Sequence, residues 1–273
     1  MSARTDTGAA GGVPLDSRLR ATARSEWIKF RSVRSGPFVL LATVAILLLG
    51  AWALCVGYRH GWATMSPGDR ASFDPVVTSL EGILLAQLFI GALGVLTVTG
   101  EYTSGLIRGT FLATPQRGQV LAIKALVFAA VIWAWCTVLS FAAFLLGQDL
   151  LGPAKHAGIG DPGVLTAVFG AGLYLLFVGL LGVFIGVLVR RTAAALATFF
   201  GVVVVLPYAI GLVPGRSAAL LAEYLPSNAG QEGWTLPHGG AYTLGPWPGL
   251  GVFAAYVVAA GAAAFATIRR RDA

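Results

Sequence analysis

The chain has 273 residues, 56% of them apolar and 11% charged, with 19 Lys and Arg against 12 Asp and Glu and a net charge of +7. Soluble domains carry about 25% charged residues. With a mean hydropathy of +0.78, a water-soluble globule would expose far too much apolar surface. The positive excess reads as attraction to anionic lipid; with no polar domain to build a reading surface, no nucleic acid partner is expected.

Residues 1–14 are mostly Ala, Gly, Thr and Ser and read as a disordered cytoplasmic tail. From 15 to 35 the pattern changes. Leu19, Ala23, Trp27, Phe30 and Val33 fall on one helical face, and Arg18, Arg20, Arg24, Lys29 and Arg31 lie largely elsewhere around it. This predicts an amphipathic interfacial helix on the lipid surface, capped by Asp16 or Ser17 and broken by Gly36-Pro37. A basic stop signal that only sets topology is the simpler reading of the same residues.

A six-helix transmembrane domain is predicted over 36–268, with spans at 38–58, 82–100, 122–147, 164–189, 193–213 and 248–268. Each has the roughly 20 mostly apolar residues that a crossing helix needs. The runs are continuous rather than alternating, which argues against barrel strands. Pro207 is expected to kink the fifth span or make it partly re-entrant, and Lys124, at the start of the third, to snorkel to the interface. Between spans five and six, the long loop 214–247 contains a helical Ser217–Tyr224. Pro226, Pro237, Pro246 and Pro248 are then expected to impose irregular backbone that dips back toward the bilayer.

Fifteen of the 19 basic residues fall on one side of this layout and four, Arg59, Arg70, Lys155 and Arg216, on the other. The positive-inside rule then places both termini, including the tail 269–273, in the cytoplasm of a multi-pass plasma (inner) membrane protein. The even span count requires a shared side independently. The fold class expected is therefore an all-α integral membrane protein with six transmembrane helices. A cleavable signal peptide is not expected, because the first apolar run exceeds a signal core.

No reaction chemistry is legible. The phosphate loop G-x-x-x-x-G-K-[ST] is missing, so ATP is not expected to bind this chain by that route. His60, His156 and His238 are far apart in predicted loops, Cys55 and Cys136 fall inside spans as small hydrophobes, and no catalytic residue, cofactor or metal is expected. The predicted span centres are neutral, which disfavours a proton-driven carrier, since such carriers hold ionisable relays within the bilayer.

One segment has more character. The inner loop 101–119 holds Leu106, Ile107, Phe111 and Leu112 as the apolar face of a two-turn helix, capped by Thr103 or Ser104, with Glu101 at its favourable end and Pro115 as its stop. Such a helix suits the groove of a cytoplasmic partner; a re-entry helix packed on its own spans fits equally well.

Gly100-Glu101-Tyr102-Thr103-Ser104-Gly105-Leu106-Ile107-Arg108, followed by Pro115-Gln116-Arg117 and Lys124, resembles the permease subunits of the type 2 ABC exporter family, as do Ser25-Glu26-Trp27-Ile28-Lys29-Phe30-Arg31 and the layout over 18–271. The resemblance implies a membrane half without an ATPase domain. It implies a second permease subunit, identical or paralogous, and a separate ABC ATP-binding subunit as partners. It also implies that Glu101, Tyr102, Gly105, Arg108, Phe111, Pro115 and Arg117 couple to that ATPase, and that Glu26, Trp27, Lys29, Phe30 and Arg31 belong to the interfacial helix. It fixes no substrate residues. A secondary transporter and a membrane scaffold or sensor subunit are the competing classes. Reporter fusions at Gln116 and Pro237 are expected to report opposite sides of the membrane; a shared side would overturn the topology.

Overall fold

A computed structural model describes residues 35–103, 117–153, 155–236 and 244–270. The described elements are helices α1 (Ser35–Gly61), α2 (Pro67–Ala71), α3 (Pro75–Leu80), α4 (Ile83–Thr103), α5 (Arg117–Leu151), α6 (Val164–Val189), α7 (Thr192–Phe200), α8 (Leu206–Gly211), α9 (Arg216–Glu223), α10 (Pro226–Gln231) and α11 (Pro246–Arg270). Six helical segments among the described residues are long and apolar enough to cross a membrane, from Gly36–Thr64 to Pro246–Arg270. The expected interfacial helix, apart from its last residue, lies outside the described residues. We call the end of the bundle bearing Thr103, Arg117, Val189 and Arg270 the near end, and the end bearing Gly61, Pro75, Leu151 and Val164 the far end.

Where the helices depart from the expected spans, the reason is local. Pro37 falls in the first turn of α1, where its missing N–H costs nothing. The second span is two pieces, α3 and α4, offset at Glu81-Gly82, where α1 crosses so closely that a Cβ on Gly82 would lie 3.0 Å from the Ile46 carbonyl oxygen. At the near end the helices run past the apolar stretches: Glu101–Thr103 continue α4 and α5 starts at Arg117, so both ends of the expected loop 101–119 are helical, and 104–116 lies outside the described residues. The fourth span is bounded as expected, at Val164–Val189.

Pro207 distorts the fifth span as anticipated. Its ring would crowd the carbonyl four residues back and it donates no hydrogen bond. The chain relieves this just upstream by a π-helical turn, Gly201–Val205, in which the Leu206 N–H reaches back to the Gly201 carbonyl. Beyond it, Ser217–Tyr224 is helical nearly as predicted, as α9. Pro226, in contrast, does not enforce irregular backbone. It opens α10, because a proline is well suited to a first helical turn.

Helix α6 is the centre. It packs against α4, α5, α7 and α11, and its interior-facing residues include Tyr174, Leu175, Val178, Val183 and Val187. Helices have no hydrophobic drive to associate within lipid, so close backbone contact must hold them. A Cβ on Gly94 would collide with the Gly179 carbonyl, one on Gly182 with the Gly91 carbonyl, and one on Gly186 would stand 3.1 Å from the Val95 carbonyl. The small-residue spacing in the fourth span thus serves its contact with α4. Helix α10 also enters the bundle: Gly230 abuts Tyr174 and Phe253, and Gly233 abuts Gly170 and Leu250. Helix α10 is thereby packed against α11 and α6.

At the far end the polar groups pair without charge. Gln148 Nε2 donates to the Pro75 carbonyl (2.9 Å) and to Ser79 Oγ (2.8 Å), and its Oε1 accepts from Ala157 N–H (2.7 Å). Tyr174 Oη donates to Gln87 Oε1. Cys55 and Cys136 are free and buried.

Overpacking a filled interface typically costs 1–3 kcal/mol. Gly182→Leu is therefore expected to lower the melting temperature of the detergent-solubilised protein clearly. Gly57→Ala, with open space around the new methyl, is expected to leave it unchanged or raise it slightly. Equal effects would mean that α4 and α6 do not meet at these glycines.

Candidate functional site

Of the residues singled out by sequence, Glu101 and Tyr102 are described in full. Arg117 opens α5. Gly105, Arg108, Phe111 and Pro115 lie outside the described residues, as do Glu26, Trp27, Lys29, Phe30 and Arg31. His60 and His156 are exposed, and no cluster of three or more metal-binding side chains occurs among the described residues.

Glu101 is not a solvated residue leading a surface helix. It sits in the last turn of α4, and its carboxylate accepts a 2.7 Å hydrogen bond from Lys124 Nζ, with side chains only 11% and 8% exposed. Lys124 therefore turns inward rather than snorkelling. A lone charge at the centre of a membrane helix costs about 2.5–3.5 kcal/mol even on the most lenient scale. Pairing two opposite charges on neighbouring antiparallel helices meets that cost internally. The helices continue through both charges for this reason.

Next to this pair the α6–α7 junction reaches in. Only Arg190 and Arg191 separate α6 from α7, so the chain must reverse within two residues. Arg190 takes a left-handed conformation, φ 62°, which costs a non-glycine residue about 1 kcal/mol. Its guanidinium carbon stands 5.4 Å from the centroid of the Tyr102 ring, within cation–π range, while its Nε is buried without a hydrogen-bond partner among the described residues. Glu101–Lys124 ties α4 to α5, and Tyr102–Arg190 ties α4 to the α6–α7 turn. On the opposite side of α5, a Cβ on Gly118 would meet Phe265 and Arg269 of α11.

The Glu101–Lys124 pair thus joins the last turn of α4 to α5.

Compared with known proteins, the chain matches no protein-family model, and no curated protein aligns with it significantly.

Breaking a buried pair by removing one partner costs up to about 3–5 kcal/mol, because the remaining charge loses its short ion-pair contact. Lys124→Met is expected to lower the melting temperature strongly, and Glu101→Leu with Lys124→Met to recover much of the loss. A double variant showing the full sum of the single losses would mean that the two charges do not interact.

Proposed function

We propose that the chain is the membrane permease subunit of an ATP-binding cassette exporter, forming the substrate pathway and driven by a separate ATPase subunit. The reading places the near end in the cytoplasm and the protein in the plasma membrane. Two permeases pair, identical or paralogous, and an ATP-binding subunit docks beneath each.

The observation that carries the reading is the clamp beneath segment 104–116. A coupling segment must transmit displacement rather than absorb it. Here its two arms are joined by the buried Glu101–Lys124 pair, α4 is interlocked with α6 through the Gly91/Gly182 and Gly94/Gly179 contacts, and α6 is the helix around which the bundle is arranged. A push on Arg108 or Phe111 thus has a stiff route into the centre. The resemblance of Gly100–Arg108 to the exporter motif supports the same assignment, and Arg117 and Pro115 complete the segment. In this mechanism ATP binding closes the ATPase dimer, and the closure presses on 104–116 and on the opening helix with Glu26, Trp27, Lys29, Phe30 and Arg31. The spans then re-aim a cavity between the paired permeases.

An affinity-tagged chain isolated from its native membrane is expected to bring an ABC ATPase with it. Arg108→Ala with Phe111→Ala is expected to preserve the melting temperature while uncoupling the ATPase from transport in reconstituted vesicles. Transport that persists on an ion gradient without any ATPase would replace this reading with that of a secondary carrier. Absence of both transport and a co-isolated ATPase would leave the scaffold reading.

A further inference from the structure

The far end carries an arrangement that the proposed function does not use. A short 3-10 turn, Trp62–Thr64, follows α1 directly. The Trp62 ring meets Phe73 edge-on at 5.3 Å between centroids, and Phe73 meets Tyr58 at 5.0 Å. Onto this aromatic floor come two cations from separate connections. Lys155 Nζ lies 4.1 Å from the Trp62 ring centroid and the Arg70 guanidinium carbon 5.8 Å from it. The Arg70 side chain is held by a hydrogen bond from Nη2 to the Ala63 carbonyl at 3.0 Å, and the backbone at Lys155 by a bond from its N–H to the Gly152 carbonyl at 3.2 Å. A third cation, Arg59, is pinned nearby through Nη1 to the Leu150 carbonyl at 3.2 Å.

The carboxylates of this end are occupied elsewhere. Asp69 Oδ2 accepts from Ser66 Oγ in the cap of α2, Asp74 Oδ1 accepts from the Val76 and Val77 N–H groups at the start of α3, and Asp161 Oδ2 accepts from Gly158 N–H. Glu81 and Asp149 are exposed. Arg59, Arg70 and Lys155 make no ion pair among the described residues. Two like charges gathered on one indole repel each other, and the cation–π attraction that holds each is worth about 0.5–1 kcal/mol at an exposed site. An anion between them removes the repulsion and adds charge-assisted hydrogen bonds.

We propose that Arg70, Lys155 and Trp62 form a binding site for a phosphate group. The aromatic residues stand where span one ends, the level at which Trp and Tyr meet lipid headgroups, so the phosphodiester of a phospholipid in the far-end leaflet is the ligand that reaches the site most directly. A soluble phosphate offers the same chemistry, and the experiment separates the two sources.

The full chain in a non-ionic detergent is titrated with dihexanoylphosphatidylglycerol, with dihexanoylglycerol, which lacks the phosphate, and with inorganic phosphate. Tryptophan fluorescence is followed, and the Trp62→Phe variant identifies the responding ring. Dihexanoylphosphatidylglycerol is expected to bind and dihexanoylglycerol not to. Arg70→Gln and Lys155→Gln are each expected to weaken binding about fivefold, the contribution of one cation at an anionic lipid surface. Arg70→Lys with Lys155→Arg, which keeps both charges, is expected to retain it. Competition by inorganic phosphate at comparable concentration supports the site and makes a soluble anion its ligand; failure to compete makes it a lipid. Equal binding of the two dihexanoyl compounds, unchanged affinity in both Gln variants, or wild-type binding insensitive to high salt would each overturn the proposal.

Discussion

The bundle depends on how closely α4 and α6 can approach. In water, apolar side chains drive helices together; in lipid they do not, because the tails are as apolar as leucine. What remains is dispersion between surfaces near enough to touch, and that requires backbone against backbone. The glycines at 94, 182 and 186 remove the side chains that would keep these two helices apart, and those at 91 and 179 leave room for the Phe199 and Phe128 rings that pack beside the contact. With α4 and α6 in contact, α6 presents its other faces to α5, α7 and α11. It becomes a core in the ordinary sense, with Tyr174, Phe128 and Phe253 fully buried around it.

That core explains where charge is tolerated. The near end holds its polar groups as an ion pair, Glu101 with Lys124, while the far end uses neutral groups, Gln148 with Ser79 and Ala157. The two solutions respond differently to water. A neutral network satisfied on all sides gains little from solvation. A buried ion pair is a balance between a large desolvation cost and a large attraction, so admitting water shifts both terms. The Glu101–Lys124 contact is therefore the more sensitive of the two to the entry of water.

Much of this architecture was legible in the sequence. The span count followed from uncharged length, since hydrocarbon thickness is a hard constraint that composition must meet, and Val164–Val189 was bounded correctly because charges flank it at once. Boundaries failed where charges are paired. Counting uncharged residues ended the second span before Glu101 and began the third at 122, five residues after the helix starts at Arg117, because a lone carboxylate reads as an interface signal and partnership across two helices is a tertiary fact. Pro226 misled for a similar reason: a proline punctuates loops and also begins helices, and only the packing of the residues after it separates the two uses. The Tyr102–Arg190 contact had no sequence signal, since it depends on a two-residue reversal that places Arg190 in a left-handed conformation.

Arg190 also shows what the reversal costs and what it provides. A glycine would take φ 62° without penalty, yet it would place nothing over Tyr102. Arginine accepts the strain and places a cation 5.4 Å from the ring centroid, with its buried Nε unpaired among the described residues. Glu101 and Tyr102 are adjacent on α4, and their partners come from α5 and from the α6–α7 turn. Rotating the last turn of α4 would therefore disturb an ion pair and a cation–π contact together, because one end of one helix carries its links to both α5 and the α6–α7 turn.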